Sequence, residues 1–159
     1  MFQLGQHQIF ISNNVFAILE LYKQSQKTQK EAGGILLGQV RGKQIFVLKA
    51  SIPNKYDKSR KFNYMRDKDV AQVIVNHEFA NSTNKTIYLG EWHTHPEIEP
   101  WPSICDLRMI DKQYFGNRLN EKFIVIIIKG TEKLFVGLYD GKVLSHIIID
   151  STIITDGGE

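Results

Sequence analysis

The chain has one cysteine, Cys105, among its 159 residues, which excludes an internal disulfide and suits a reducing compartment such as the cytoplasm. Long apolar runs are also missing. No stretch approaches the roughly 20 residues needed to cross a bilayer, and Met1-Phe2-Gln3-Leu4-Gly5-Gln6 lacks the basic and then apolar pattern of a secretory leader. A soluble protein with no membrane partner is therefore expected. Charge of one sign is scarce too: 20 basic against 17 acidic residues leave +3, with no long basic run, so nucleic acid is not the leading partner. There are no repeats, low-complexity segments or clear linkers. What is present is 42% apolar residues, enough for one compact domain over residues 1–159. A tail is expected over about 150–159, ending in a loose Asp156-Gly157-Gly158-Glu159.

The pattern alternates between helical and extended periods. Gln8 to Ile11 reads as a short strand, and Ser12 caps a helix bearing Val15, Ile18, Leu19 and Tyr22 on one side. Gly33 to Val40 and Ile45 to Leu48 form a hairpin around Arg41-Gly42-Lys43. The charged stretch Lys55 to Asp69 leads into a helix with Val70, Val73, Ile74 and His77 on its apolar side, closed by Asn81-Ser82-Thr83-Asn84. A strand from Ile87 runs through His95 until Pro96 ends it, and Pro96, Pro100 and Pro102 stiffen the following loop. Ser103 opens a third helix to about Tyr114. Phe123 to Ile128 is a fully buried strand, and Leu134 to Tyr139 and Val143 to Ile149 are two more. The class is α/β.

The chemistry concentrates in His93-Thr94-His95 followed by Ser103 and Asp106. On a strand, residues two apart share a face, so both imidazoles can address one point. A helix beginning at Ser103 returns Asp106 toward that point one turn in. Two imidazoles and a carboxylate leave a fourth position of a tetrahedral zinc for water, the pattern of a catalytic site. A lone His-x-His is more simply a solvated strand edge, and Ser-x-x-Asp is more simply a capping box. The two readings of Ser103 are compatible. A hydrolase of this kind also needs a carboxylate base beside the metal. Glu91, on the strand face of His93 and His95, and Glu31, upstream of the glycine-rich Gly33-Gly34-Ile35-Leu36-Leu37-Gly38, are both candidates. Spacing does not choose between them.

Glu31-Ala32-Gly33-Gly34-Ile35-Leu36-Leu37-Gly38, His93-Thr94-His95-Pro96 and Ser103-Ile104-Cys105-Asp106 together resemble the JAMM signature of the JAB/MPN zinc metalloproteases. The resemblance covers nearly the whole chain. It implies a largely antiparallel mixed sheet flanked by helices, of the cytidine-deaminase-like kind. It also implies one zinc held by His93, His95 and Asp106, Glu31 as the catalytic carboxylate, and Ser103 donating to the oxyanion. The fuller run from Tyr88 to Glu97, with Pro100, Pro102 and Ser103, resembles a narrower prokaryotic group that includes the deconjugating peptidases of CBASS antiphage operons. The implied substrate is a protein with an extended C-terminal tail, either a ubiquitin-like protein or a cGAS-like nucleotidyltransferase in a conjugate. Glu91 stands where eukaryotic members carry an aromatic residue, which argues against transferring their polyubiquitin specificity. Two alternatives remain: a metal-free MPN scaffold acting as a binding module, and a protease that processes sulfur-carrier proteins.

The segment Lys55 to Arg66 is a candidate ordering loop beside the site, with a solvated connection as its plain alternative. Trp92 is expected in the core and Trp101 in a substrate groove. Cys105 is expected as a small buried side chain on its helix, and His7, His77 and His146 as ordinary structural or surface residues.

Overall fold

Ser12 shows how local chemistry sets the chain path: its hydroxyl donates to Leu48 O at 2.9 Å and accepts the Val15 N–H, so one side chain ends a strand and caps a helix. The computed structural model describes residues 1–26, 29–60 and 63–151. Its elements are β1 (Phe2–Leu4), β2 (His7–Ile11), α1 (Asn13–Tyr22), β3 (Gly33–Arg41), β4 (Gln44–Ala50), β5 (Lys58–Arg60), β6 (Asn63–Met65), α2 (Lys68–Asn81), β7 (Ile87–Thr94), α3 (Ile104–Gly116), β8 (Ile124–Lys129), β9 (Lys133–Tyr139) and β10 (Leu144–Asp150). Eight strands form one sheet in the order β1-β2-β4-β3-β7-β8-β9-β10, while β5 and β6 pair separately. Only β2 with β4 and β7 with β8 are parallel, so the sheet is largely antiparallel as expected.

Both faces of the sheet are covered. Val15 and Leu19 of α1 pack with Leu36, Val47, Trp92, Val125 and Ile127 into the main core. On the opposite face Ala71, Ile74 and Val75 of α2 meet Ile35 and Leu37, and Ile110 of α3 meets Ile126, Ile128 and Phe135. The central strands β3, β7 and β8 are covered on both faces, which accounts for their buried runs, although β7 carries the polar Glu91, His93 and Thr94 within its run.

Several expectations need correction. The packed side of α2 is Ala71, Ile74 and Val75, while Val73 is 67% exposed and His77 is exposed. Its apolar residues are too sparse for the spacing to fix the face. Cys105 is exposed, because Asp106 and Ile110 take the inward positions of α3. β7 ends at Thr94, and His95 continues the ladder only through its N–H to Lys129 O at 2.9 Å. β10 runs through Asp150, and the rest of the expected tail, residues 152–159, lies outside the described residues. Among the described residues no helix is long and apolar enough to cross a membrane.

Candidate metal centre

Three segments meet at the ends of β3 and β7. Gly33 pairs with His93 across the antiparallel ladder, and beyond it Thr94 N–H donates to Ala32 O at 2.9 Å while Ala32 N–H donates to Thr94 Oγ1 at 2.9 Å. This pairing places Glu31, one residue upstream, beside the histidines. A side chain at Gly33 would put its Cβ 2.5 Å from the Tyr64 ring and 2.6 Å from Trp92 O. Glycine is therefore required for β6 to lie over the start of β3. The strand's parallel neighbour is β8, where Ile128 stands beside His93.

The third segment arrives on α3. Ser103 caps it: the hydroxyl accepts the Asp106 N–H at 3.1 Å, and Ser103 N–H donates to Asp106 Oδ2 at 2.8 Å. That reciprocal box fixes the Asp106 carboxylate. The same Oδ2 lies 3.1 Å from His93 Nε2 and 3.1 Å from His95 Nε2, and the two Nε2 atoms are 3.1 Å apart. The prolines matter here because the loop between ligands must be stiff. It is also pinned to the β8–β9 turn, where Thr131 N–H donates to Glu97 O at 2.8 Å and Lys133 N–H to Ile98 O at 3.0 Å.

An equilateral triangle of two imidazole nitrogens and one carboxylate oxygen suits a small divalent cation. Bonds of about 2.0–2.1 Å in a tetrahedron give donor separations of about 3.3 Å, close to the 3.1 Å observed. These three side chains form a cluster that can hold a metal, and three protein donors leave a position for a further ligand. Glu31 is 4% exposed, and its Oε1 lies 3.7 Å from His95 Nε2. Glu97 Oε2 lies 3.4 Å from His95 Nδ1, on the other side of that ring, the arrangement by which carboxylates orient ligand histidines.

Burial and charge set the protonation of this cluster. Burial pushes Glu31 up to about 8, assisted by Asp106 and Glu97 and opposed by His95. Burial would raise Asp106 as well, but the two imidazoles and the Ser103 N–H outweigh it and hold that carboxyl well below its usual range. Burial alone would lower His95, and Asp106, Glu31 and Glu97 reverse the sign and raise it. For Glu31 the folded state binds its proton more tightly than the unfolded chain, so its contribution to stability is complete below the ordinary glutamate value of 4.5 and is lost as pH rises through about 8. We expect the melting temperature of chelator-treated protein to fall as pH is raised from 6 to 8, with a shallower fall in Glu31→Gln. Equal slopes in thermal scans of both proteins would refute the Glu31 assignment.

Of the two carboxylates spacing left open, only Glu31 reaches the donor triangle. Glu91 shares the sheet face of His93 but is engaged elsewhere: Arg66 Nε donates to its Oε1 at 2.7 Å and Oε2 at 3.1 Å, and Tyr88 O–H donates at 3.0 Å. Arg66 also donates to Gln113 on α3 at 3.3 Å. Sequence reasoning missed this network. The signal for it was Glu91 itself, since a carboxylate on a buried strand face requires a cation, and the adjacent segment offers Arg60 and Arg66, of which the structure uses Arg66. That segment is a small hairpin rather than a solvated connection. Asp57 gathers it by accepting the Tyr64 O–H and the backbone N–H groups of Asn54 and Asp67, both at 2.6 Å. Ser59 donates its hydroxyl to Glu31 O.

The other residues singled out in the sequence have partners of their own. Trp92 is buried, its indole N–H on Ser51 O at 2.9 Å. Trp101 is 51% exposed and sets its edge on Phe135 and His146. His7 packs on Phe123, and His77 bonds Asn81 on α2.

Proteins named CD-NTase/cGAS isopeptidase are 32% identical over 82% of this chain and 81% of their own in Escherichia coli, and 30% identical over 81% and 80% in Vibrio cholerae. One from Pseudomonas aeruginosa is 29% identical over 84% of each chain. The solution structure of protein DSY2949 from Desulfitobacterium hafniense superposes with a TM-score of 0.59 at 17% identity, covering 88% of this chain and 90% of that one, and shares the fold. Residues 17–138, which include Glu31, both histidines, Ser103 and Asp106, match the family described as prokaryotic homologs of the JAB domain, and the chain belongs to that family.

Proposed function

We propose that the chain is a zinc-dependent isopeptidase, acting as a single domain over residues 1–159, that hydrolyses the bond joining the C-terminus of a cGAS-like nucleotidyltransferase to a partner protein. The observation that carries this reading is the 3.1 Å triangle of His93, His95 and Asp106 donors with the Glu31 carboxylate beside it. Identity of about 30% to proteins named CD-NTase/cGAS isopeptidase over four fifths of the chain supports the substrate class. It also favours a bacterial antiphage setting in the cytoplasm. The metal-free scaffold reading has less support, because all four side chains needed for metal and base are in place. A ubiquitin-like or sulfur-carrier substrate would use the same chemistry.

Zinc bound by His93, His95 and Asp106 would acidify water and polarise the attacked carbonyl. Glu31 removes the proton of the attacking water and delivers it to the departing amine, and its buried position keeps that proton from bulk solvent. Ser103 already accepts the Asp106 N–H through its oxygen, which leaves its own proton to donate to the carbonyl oxygen as that becomes negative. A peptide and an isopeptide present the same carbonyl and nitrogen, so the site accommodates either. The β5–β6 hairpin next to Glu31 is suited to hold an extended substrate tail as an added strand.

Elemental mass spectrometry of the purified protein tests the centre: about one zinc per chain is expected, falling below a tenth in His93→Ala/His95→Ala and in Asp106→Ala. Cleavage of a nucleotidyltransferase conjugate should stop on chelation and return with zinc. A protein that takes up no zinc after reconstitution, or that cleaves undiminished without it, would reject the reading.

A further inference from the structure

The sheet face that carries His93 also floors a second concavity. A cleft of about 420 Å³ lies between α2 and the end of α3, within the volume range of ligand pockets. Tyr88 is at its floor, five residues along β7 from His93, or roughly 17 Å at about 3.3 Å per residue. The bulge in the β3–β7 ladder at Leu36 and Leu37 turns Tyr88 to the face of Glu91 and His93, so the cleft is separate from the metal centre and on the same face.

Its walls are two facing rows of amides. Along α2, Lys68, Gln72 and Asn76 recur every four residues, and opposite them stand Gln113 and Asn117, with Arg118 next in sequence. Gln72 donates to Asn76 Oδ1 at 3.0 Å, and Asn117 donates to Gln113 Oε1 at 2.7 Å. After those bonds each wall keeps, among the described residues, a free amide carbonyl and a free amide N–H, on Gln72 and Asn76 along α2 and on Asn117 and Gln113 opposite. That alternation of acceptor and donor is what a polypeptide backbone offers in return.

The charge is one-sided. No carboxylate lines the cleft among the described residues, while Arg66, Lys68 and Arg118 do. Arg66 is neutralised by Glu91 beneath it, but Lys68 and Arg118, at exposed positions of the rim, have no ion pair among the described residues. Stacking surface for nucleic-acid bases is confined to one ring: of the two aromatic lining residues, Tyr88 is engaged with Glu91, and Phe79 alone is exposed.

We propose that this cleft docks an extended acidic segment of the protein substrate, apart from the tail that enters the metal centre. The proposal rests on the peptidase reading for its biological use, but its binding test does not. Zinc-free Glu31→Gln protein, isotopically labelled, is titrated with an acetylated hexaglutamate peptide, with hexaglutamine and a hexathymidylate oligonucleotide as comparisons. Saturable shifts are expected at the side-chain amides of Gln72, Asn76, Gln113 and Asn117. The affinity for hexaglutamate is expected to drop about 10-fold or more in Lys68→Glu/Arg118→Glu, and less than 2-fold in Lys43→Glu/Lys142→Glu, which reverses the same charge at two exposed turns. With the active enzyme and a protein conjugate, the cleft variant should raise KM about 10-fold with kcat within 2-fold, and the difference should fade at 0.5 M salt. Equal weakening by both double variants would overturn the proposal in favour of a diffuse field. Tighter binding of the oligonucleotide, or no shift with millimolar hexaglutamate, would overturn it outright. Absence of cleavage alongside intact hexaglutamate binding would reject the peptidase reading and leave the cleft standing.

Discussion

Glu31→Gln should retain its zinc and lose about 10³–10⁴ in kcat, at the upper end of what a single proton-transfer group supplies. Glutamine keeps the shape of the side chain but cannot accept a proton from water or deliver one to an amine. The donor triangle is built without Glu31, from His93, His95 and the capped Asp106, so zinc content should stay near one per chain. Ser59 and Thr94 touch only the backbone next to this position, so little else should move. Elemental analysis and single-turnover cleavage on the same preparation give both numbers. Turnover within 10-fold of the wild type would remove Glu31 from the mechanism.

Arg66→Ala should destabilise the protein by about 3–5 kcal/mol, the usual cost of breaking one side of a buried ion pair. At 2–4 °C per kcal/mol, that corresponds to roughly 6–20 °C in melting temperature. The Glu91 side chain is 4% exposed and that of Arg66 15% exposed, so removal of the guanidinium strands a carboxylate under α3. Burial already pushes Glu91 up to about 6 against the pull of Arg66 and Tyr88. Without Arg66 the group should hold its proton to higher pH, and the loss of stability should shrink as pH falls toward 5. Arg66→Met/Glu91→Leu, which leaves no charge behind, should melt above Arg66→Ala. Melting curves of the wild type and the two variants at pH 5 and 8 decide this, and a pH-independent loss would show that Glu91 is solvated.

The site was legible because its parts carry chemistry in short, dense patterns. His93 and His95 two apart on a strand, and Ser103 and Asp106 three apart at a helix start, each have a geometric meaning that survives folding. Glu31 had no such meaning alone. Its place depends on the Gly33–His93 register, a long-range pairing that periodicity does not encode and only the family resemblance supplied. β8 was readable because its apolar run is unbroken, and β7, β9 and β10 because their apolar residues are bounded by turn and proline signals. β1 and the β5–β6 hairpin are three-residue strands, too short for any period to emerge, and the hairpin is held by polar contacts through Asp57, Tyr64 and Arg66. Cys105 was misplaced because a small apolar residue beside a buried one on a helix faces about 100° away. α2 was misplaced because alanine, the residue that packs, is the weakest of apolar signals.

The register of β3 against β7 also governs when the centre can exist. β7 lies between β3, which leaves the ribosome first, and β8, which follows α3. No local segment brings Glu31, the two histidines and Asp106 within reach of each other. The three metal donors lie within one short segment, but Glu31 joins them only through the β3–β7 register and α3 is seated against β8 through Ile110, so the complete centre waits on those long-range contacts. The α1 side of the sheet closes over an apolar core that contains none of the metal donors, so that scaffold can form before metal is held. The folding rate should accordingly be indifferent to zinc, whose effect should fall on the rate of unfolding.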